Sequence, residues 1–202
     1  MPRLELVRHA MTQGNLEGRW IGTTDQPLCP EGVALAKANV RSTKAVPRRV
    51  WTSPLGRCRE TAALLYPGAE LVPVPAFRET AFGPFENKNH RELEGDPLYE
   101  EWIKSGGTAP VPGMESREEV LLRALAAFRP IAGELSALGE DGAAVVHGGV
   151  IMALCAALAM PEQHYYQWRV PCCGGWLLDL TNWPETERFT VLGALPRKEE
   201  RR

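Results

Sequence analysis

Three places in the sequence deliver an arginine or a histidine at or shortly after the end of a short apolar run. They are Val7-Arg8-His9, Ser53-Pro54-Leu55-Gly56 leading to Arg57, and Val146-His147-Gly148-Gly149. Taken singly, each has an ordinary explanation, since a histidine near a strand end is commonly a hydrogen-bonded structural residue and an arginine a surface ion pair. Their joint occurrence is harder to explain by structure. At an effective dielectric of about 20, two unit charges about 4 Å apart repel by roughly 4 kcal/mol. A bound dianion turns that repulsion into attraction, so these residue types suit the recognition of a compact oxyanion. A phosphate monoester fits best, because its three acceptor oxygens match the forked donors of planar guanidinium groups. The remaining histidines, His90 and His164, fall in polar stretches and read as surface residues, His90 with a minor prospect of meeting substrate.

Such side chains need a frame that brings them to one edge. Short apolar or β-branched runs at Leu4 to Val7, Arg49 to Thr52, Glu70 to Val74, Ala143 to Val146, Trp176 to Leu180 and Phe189 to Leu192 predict strands. Helices are expected between them. One starts near Pro30 with Val33, Ala36 and Val40 on a face, one follows Ser53-Pro54, and one follows His147-Gly148-Gly149. The longest runs from about Ser116 to Leu138, with Leu121, Leu125, Phe128, Ala132 and Leu135 forming an apolar stripe and Pro130 expected to kink it. Strands alternating with helices predict an α/β fold: a three-layer sandwich with a largely parallel central sheet and helices on both faces. In such sheets ligands bind beyond the carboxyl ends of the strands, where the three junctions lie, and a helix start there favours an anion. Residues 80 to 113 are rich in proline and glycine, with one short helix around Tyr99 to Lys104, and read as a lid-like insertion. The all-charged run 197 to 202 reads as a solvated tail.

The 202 residues suit a single domain, and 23 Lys plus Arg against 25 Asp plus Glu give a net charge of −2. That balance argues against a general nucleic-acid or membrane-surface partner. Arg3, Glu5 and Arg8 break the apolar core a secretory signal needs, so the expected location is cytoplasmic. The uncharged stretch from Gly142 to Pro161 reads as a buried strand feeding a buried helix, interrupted by His147-Gly148-Gly149, not as a membrane span. Five irregularly spaced cysteines, Cys29, Cys58, Cys155, Cys172 and Cys173, suggest buried free thiols. No carboxylate or histidine cluster at ligand spacing calls for a metal, and no cofactor is expected. Oligomeric state is open, a homodimer included.

The run Leu6-Val7-Arg8-His9-Ala10-Met11-Thr12 with Asn15, then Ser53-Pro54-Leu55-Gly56-Arg57 with Thr61-Ala62, Arg78-Glu79-Thr80-Ala81-Phe82-Gly83, Pro112-Gly113-Met114-Glu115-Ser116 and His147-Gly148-Gly149-Val150-Ile151 resembles the histidine phosphatase superfamily, the phosphoglycerate mutase-like proteins. The resemblance spans nearly the whole chain, and five motifs in order are far more specific than any one of them. It implies that His9 is the nucleophile taking the phosphoryl group, that Arg8, Arg57 and His147 complete the phosphate pocket, and that Glu79 is the proton donor. Asn15 and the backbone of Gly148 would contact phosphate oxygens, and Gly22 falls where the family's next loop nears substrate. The chain departs from the pattern at Ala10, Met11 and Asn87, where the family more often has glycine, an acidic residue and glycine. The roles agree with physical chemistry. An attacking imidazole must be unprotonated, which neighbouring guanidinium charge favours, and a leaving alkoxide must receive a proton from a carboxylic acid.

The insertion pattern Phe82-Gly83-Pro84-Phe85-Glu86, Asp96-Pro97 and Tyr99 to Trp102 looks most like the broad-specificity and α-ribazole phosphatases. The expected activity is therefore hydrolysis of a small phosphate monoester through a phosphohistidine. A cofactor-dependent phosphoglycerate mutase is the alternative, although the insertion offers only the scattered cations Lys88, Arg91 and Lys104. A catalytically silent phospholigand-binding module is the third reading, to which the retention of His9, Glu79 and His147 is opposed.

Overall fold

The computed structural model describes residues 1–41 and 46–196, so the charged run 197–202 lies outside the described residues. Seven strands form one sheet: β1 (Arg3–Arg8), β2 (Arg49–Thr52), β3 (Glu70–Pro73), β4 (Gly142–Val146), β5 (Ala159–Met160), β6 (Gly175–Asp179) and β7 (Phe189–Leu195), in the order β3-β2-β4-β1-β6-β7-β5. The helices are α1 (Gln13–Leu16), α2 (Pro30–Ala38), α3 (Gly56–Leu65), α4 (Pro97–Lys104), α5 (Arg117–Leu138), α6 (Gly148–Leu158) and α7 (Trp183–Thr186).

The period-two alternation of the central strands builds two cores. Leu4, Leu6, Ala144 and Val146 pack against α5 and α6 on one face. Val7, Val50, Ala143 and Val145 pack against α2 and α3 on the other. This is the expected α/β sandwich, with one refinement: the sheet is mixed. Strands β3, β2, β4 and β1 run parallel, but β6 is antiparallel to both β1 and β7. Chain length accounts for the β6–β7 pair: only nine residues separate Asp179 from Phe189, too few for a helical crossover, so the chain turns back on itself there.

Two expected helix faces shift. The α2 helix ends at Ala38, which leaves Val40 exposed beyond it, and Gly32 and Ala36 form its buried face with Val33 partly buried. In α5 the fully buried line is Val120, Ala124, Phe128, Ile131, Ala132 and Leu135, with Leu121 and Leu125 flanking it. That helix starts on a reciprocal capping box between Ser116 and Glu119, runs unbroken through Pro130 and ends on Gly139 in the left-handed conformation. The insertion closes over an apolar core of its own, Phe85, Leu93, Tyr99, Trp102 and Val111, against which Trp20 and Phe82 pack. Asn87, where the resemblance leads one to expect glycine, has a φ of 58°, a conformation that asparagine tolerates better than most residues. All five cysteines are free; four are buried and Cys172 is half-buried.

Candidate active site

Strand β1 delivers Arg8 and His9 at its carboxyl end, beside the carboxyl end of β4. His9 is tied to the sheet by its backbone amide, which donates to the Val146 carbonyl at 2.9 Å. Its Nδ1 lies 2.6 Å from the Ala10 carbonyl oxygen. A carbonyl only accepts, so Nδ1 carries the ring proton and Nε2 keeps its lone pair. Burial, and then the charges of Arg57 and Arg8, hold the His9 imidazole well below the ordinary histidine range, so the ring is neutral at physiological pH. The Ala10 amide in turn donates to Thr61 Oγ1 at 2.9 Å, which fixes the turn that aims the ring.

His147 follows β4, at the cap of α6, and lies against His9, with ring centroids 5.1 Å apart. It is fully buried, and its Nε2 shares a 2.7 Å hydrogen bond with Ser53 Oγ and lies 3.4 Å from the Cys58 thiol. Burial first, then Arg57 and its neighbours, keep it neutral as well. Arg57, on the first turn of α3, is fully buried and donates to the carbonyls of Thr24 and Gly22, both at 2.8 Å. Arg8 donates to the Val170 carbonyl at 3.0 Å. Each guanidinium nevertheless retains a buried Nε–H with no partner among the described residues. Buried donors without acceptors are costly, and here two of them accompany a neutral imidazole.

Glu79 closes the site from the loop after the 3₁₀ turn Pro75–Phe77. Its Oε1 accepts from the Thr80 amide at 2.8 Å, and its Oε2 from the Gly149 amide, in the first turn of α6, at 3.2 Å. A cavity of about 540 Å³ opens over these groups. Arg8, His9, Asn15, Glu79 and Gly148 line it; Arg57, His147 and Gly22 do not. Asn15 uses its Oδ1 to cap the adjoining turn at the Thr12 amide, 3.0 Å away. Gly22 packs so closely that a Cβ there would stand 2.0 Å from the Thr80 carbonyl, and its amide donates to Glu86 Oε1 at 2.9 Å. His90 is exposed and stacks near Tyr99, away from the cavity lining. The outer walls combine aromatic and thioether side chains, among them Trp20, Phe82, Trp102, Tyr165 and Met114, with the charged side chains of Arg19, Glu115, Arg117 and Arg169. Among the described residues no group of three or more His, Cys, Asp or Glu side chains is placed to hold a metal ion. No helix among them is long and apolar enough to cross a membrane.

The histidine phosphatase superfamily (branch 1) model matches residues 4–186. The chain belongs to this superfamily. Two curated members are similar along most of their length. A 2,3-bisphosphoglycerate-dependent phosphoglycerate mutase of Gloeobacter violaceus is 34% identical over 175 residues, 81% of this chain and 79% of that protein. An adenosylcobalamin/alpha-ribazole phosphatase of Salmonella typhimurium is 32% identical over 180 residues, 83% of this chain and 85% of that protein. The solved structure of an Entamoeba histolytica phosphoserine phosphatase shares the fold, with a TM-score of 0.80 at 22% identity over 96% of both chains. The superfamily members named as phosphatases support the phosphatase activity expected from the sequence, and the mutase is no better supported.

Sequence reasoning singled out His9, Arg8, Arg57, His147 and Glu79, and the fold gathers all five around one end of the cavity. It missed Gly149, whose lack of a side chain is what admits Glu79: a Cβ there would lie 2.4 Å from Glu79 Oε1. It also missed Thr80, the second donor to that carboxylate. The paired glycines after His147 were the available signal.

Proposed function

We propose that the chain is a cytoplasmic phosphomonoesterase that hydrolyses a small phosphate monoester through a phosphohistidine on His9. The observation that carries the reading is the neutral His9 ring with its proton fixed on Nδ1, set among buried guanidinium Nε–H groups that lack acceptors. In the first half-reaction His9 Nε2 attacks phosphorus, an N–P bond forms, the P–O bond to the leaving group breaks, and the departing oxygen takes a proton from Glu79. In the second, water attacks the phosphohistidine, Glu79 takes the proton of that water, inorganic phosphate departs and His9 regains its lone pair. Arg8 and Arg57 supply fixed positive charge where the equatorial oxygens gain negative charge, with Asn15 and the backbone of Gly148 as further donors. A bound dianion reverses the field at His147 and favours a proton there, making it a further donor to the phosphate. Gly22 acts by holding the loop that covers Arg57.

The outer wall sets the aromatic faces of Trp20, Phe82 and Trp102 beside the guanidinium groups of Arg19, Arg117 and Arg169, which suits a leaving group with a flat face and polar or acidic substituents. Alpha-ribazole phosphate, named by the Salmonella relative, therefore belongs first in a substrate screen. The test is release of inorganic phosphate from that ester, from phosphoserine, sugar phosphates, 3-phosphoglycerate and 4-nitrophenyl phosphate, with and without 2,3-bisphosphoglycerate. Hydrolysis by the native chain and none by His9→Ala is expected. Isomerisation of 3-phosphoglycerate with little phosphate release would establish the mutase instead.

A further inference from the structure

Residues 78–81, which carry Glu79, form neither strand nor helix, so their backbone needs partners from elsewhere. Arg123, on the second turn of α5 and outside the cavity lining, provides them. Its Nη1 donates to the carbonyls of Ala76 and Arg78, both at 2.7 Å, and its Nη2 to that of Glu79 at 3.2 Å. Glu115, just before the same helix, grips that guanidinium at both ends, with Nε to Oε1 at 2.6 Å and Nη2 to Oε2 at 2.7 Å. Glu115 also accepts from Arg78 Nη2 at 2.9 Å and from the Ala81 amide at 3.3 Å. The Arg123 and Glu115 side chains are 13% and 10% exposed, which separates this bidentate pair from surface ion pairs of little consequence. Burial alone would raise the Glu115 carboxyl, but its hydrogen bonds and charge contact with Arg123 hold it below the usual range and keep it ionised.

We infer that Arg123 and Glu115 are positioning residues for the proton donor. They fix the backbone on both sides of Glu79, so that its carboxylate stays between the Thr80 and Gly149 amides at hydrogen-bond distance from the leaving oxygen. The inference rests on Glu79 acting as the acid. It predicts a loss that depends on the leaving group, because an alkoxide cannot depart without a proton whereas 4-nitrophenolate can.

The experiment measures kcat/KM, which reports phosphoryl transfer to His9, for a simple alkyl phosphate and for 4-nitrophenyl phosphate in Glu115→Gln and Arg123→Lys. Inhibition by inorganic phosphate is measured alongside. Arg123→Lys keeps the cation and serves where the other variant fails to fold. With a misplacement of order 1 Å costing up to about a hundredfold, the alkyl ester is expected to lose about tenfold to a hundredfold and the nitrophenyl ester less than about threefold. Phosphate inhibition is expected to stay unchanged. Equal losses on both esters, no loss on either, or a parallel weakening of phosphate inhibition would overturn the clamp while leaving the phosphatase reading intact. Native protein that hydrolyses neither ester would overturn the phosphatase reading itself, and the clamp with it.

Discussion

The inner and outer ends of the cavity are made differently. At the inner end His9 is 4% exposed and Arg57 and His147 are fully buried, and each is bonded back to the sheet or to the loops against it. At the outer end Tyr166 is 53% exposed, and Trp20, Phe82 and Tyr165 come from loops and a 3₁₀ turn rather than from strand ends. Backbone hydrogen bonds at the sheet edge hold the groups proposed to handle phosphorus. The loops vary the part that meets the rest of the substrate. A superfamily whose named members act on different esters is the expected result of that division.

The sharpest way to break the comparison is His9→Ala. Loss of the nucleophile should lower turnover of 4-nitrophenyl phosphate by about 10⁴-fold or more. A chelator should leave the native rate unchanged. Next comes the pair of glycines at the start of α6. A Cβ on Gly149 would stand 2.4 Å from Glu79 Oε1, whereas one on Gly148 would have its nearest contact at 3.7 Å, on Arg8 Nε. Gly149→Ala should therefore cost about a hundredfold in kcat, and Gly148→Ala less than about tenfold.

The outer end answers differently. Tyr166→Ala, at an exposed position of the wall, should raise KM for an aryl phosphate about tenfold, consistent with the loss of one aromatic face, while inhibition by inorganic phosphate stays as it was. A smaller effect concerns pH. His9 and His147 both titrate well below the ordinary imidazole range in the folded chain. The unfolded chain takes up their protons near pH 6.5 and the folded chain does not. The stability they leave intact above that pH is thus lost as the pH falls below it, by at most about 1.4 kcal/mol per pH unit for each histidine. Urea unfolding between pH 7 and pH 5 measures the slope, and His9→Ala should remove one histidine's share.

The inner end was legible because junction residues announce themselves. An apolar run followed by arginine or histidine places the side chain at a strand's carboxyl end wherever the strand goes, so Arg8, His9 and His147 needed only the strands to be found, and Arg57 the helix start that follows β2. Arg123 gave no such sign. It reads as one more charged position on a long helix, and its partners are backbone carbonyls 44 to 47 residues away, which have no residue type to betray them. Strand β5, two residues long, carries too little periodicity to be seen. The reversal of β6 was readable from the short connection to β7, but alternating strands and helices argue for a parallel sheet unless spacing is counted.

That reversal decides where the polypeptide tolerates change. Gly175 pairs with Val7 and Asp179 with Arg3, so β6 approaches the catalytic edge with its incoming segment, which supplies the Val170 carbonyl to Arg8 and the Cys173 amide to the Arg8 carbonyl. The turn leaving β6 at Thr181 opens on the far side of the sheet. Extra residues spliced in between Thr186 and Glu187, both exposed, would be silent in turnover, whereas the same splice between Arg169 and Gly174 would unseat the guanidinium from its carbonyl rest.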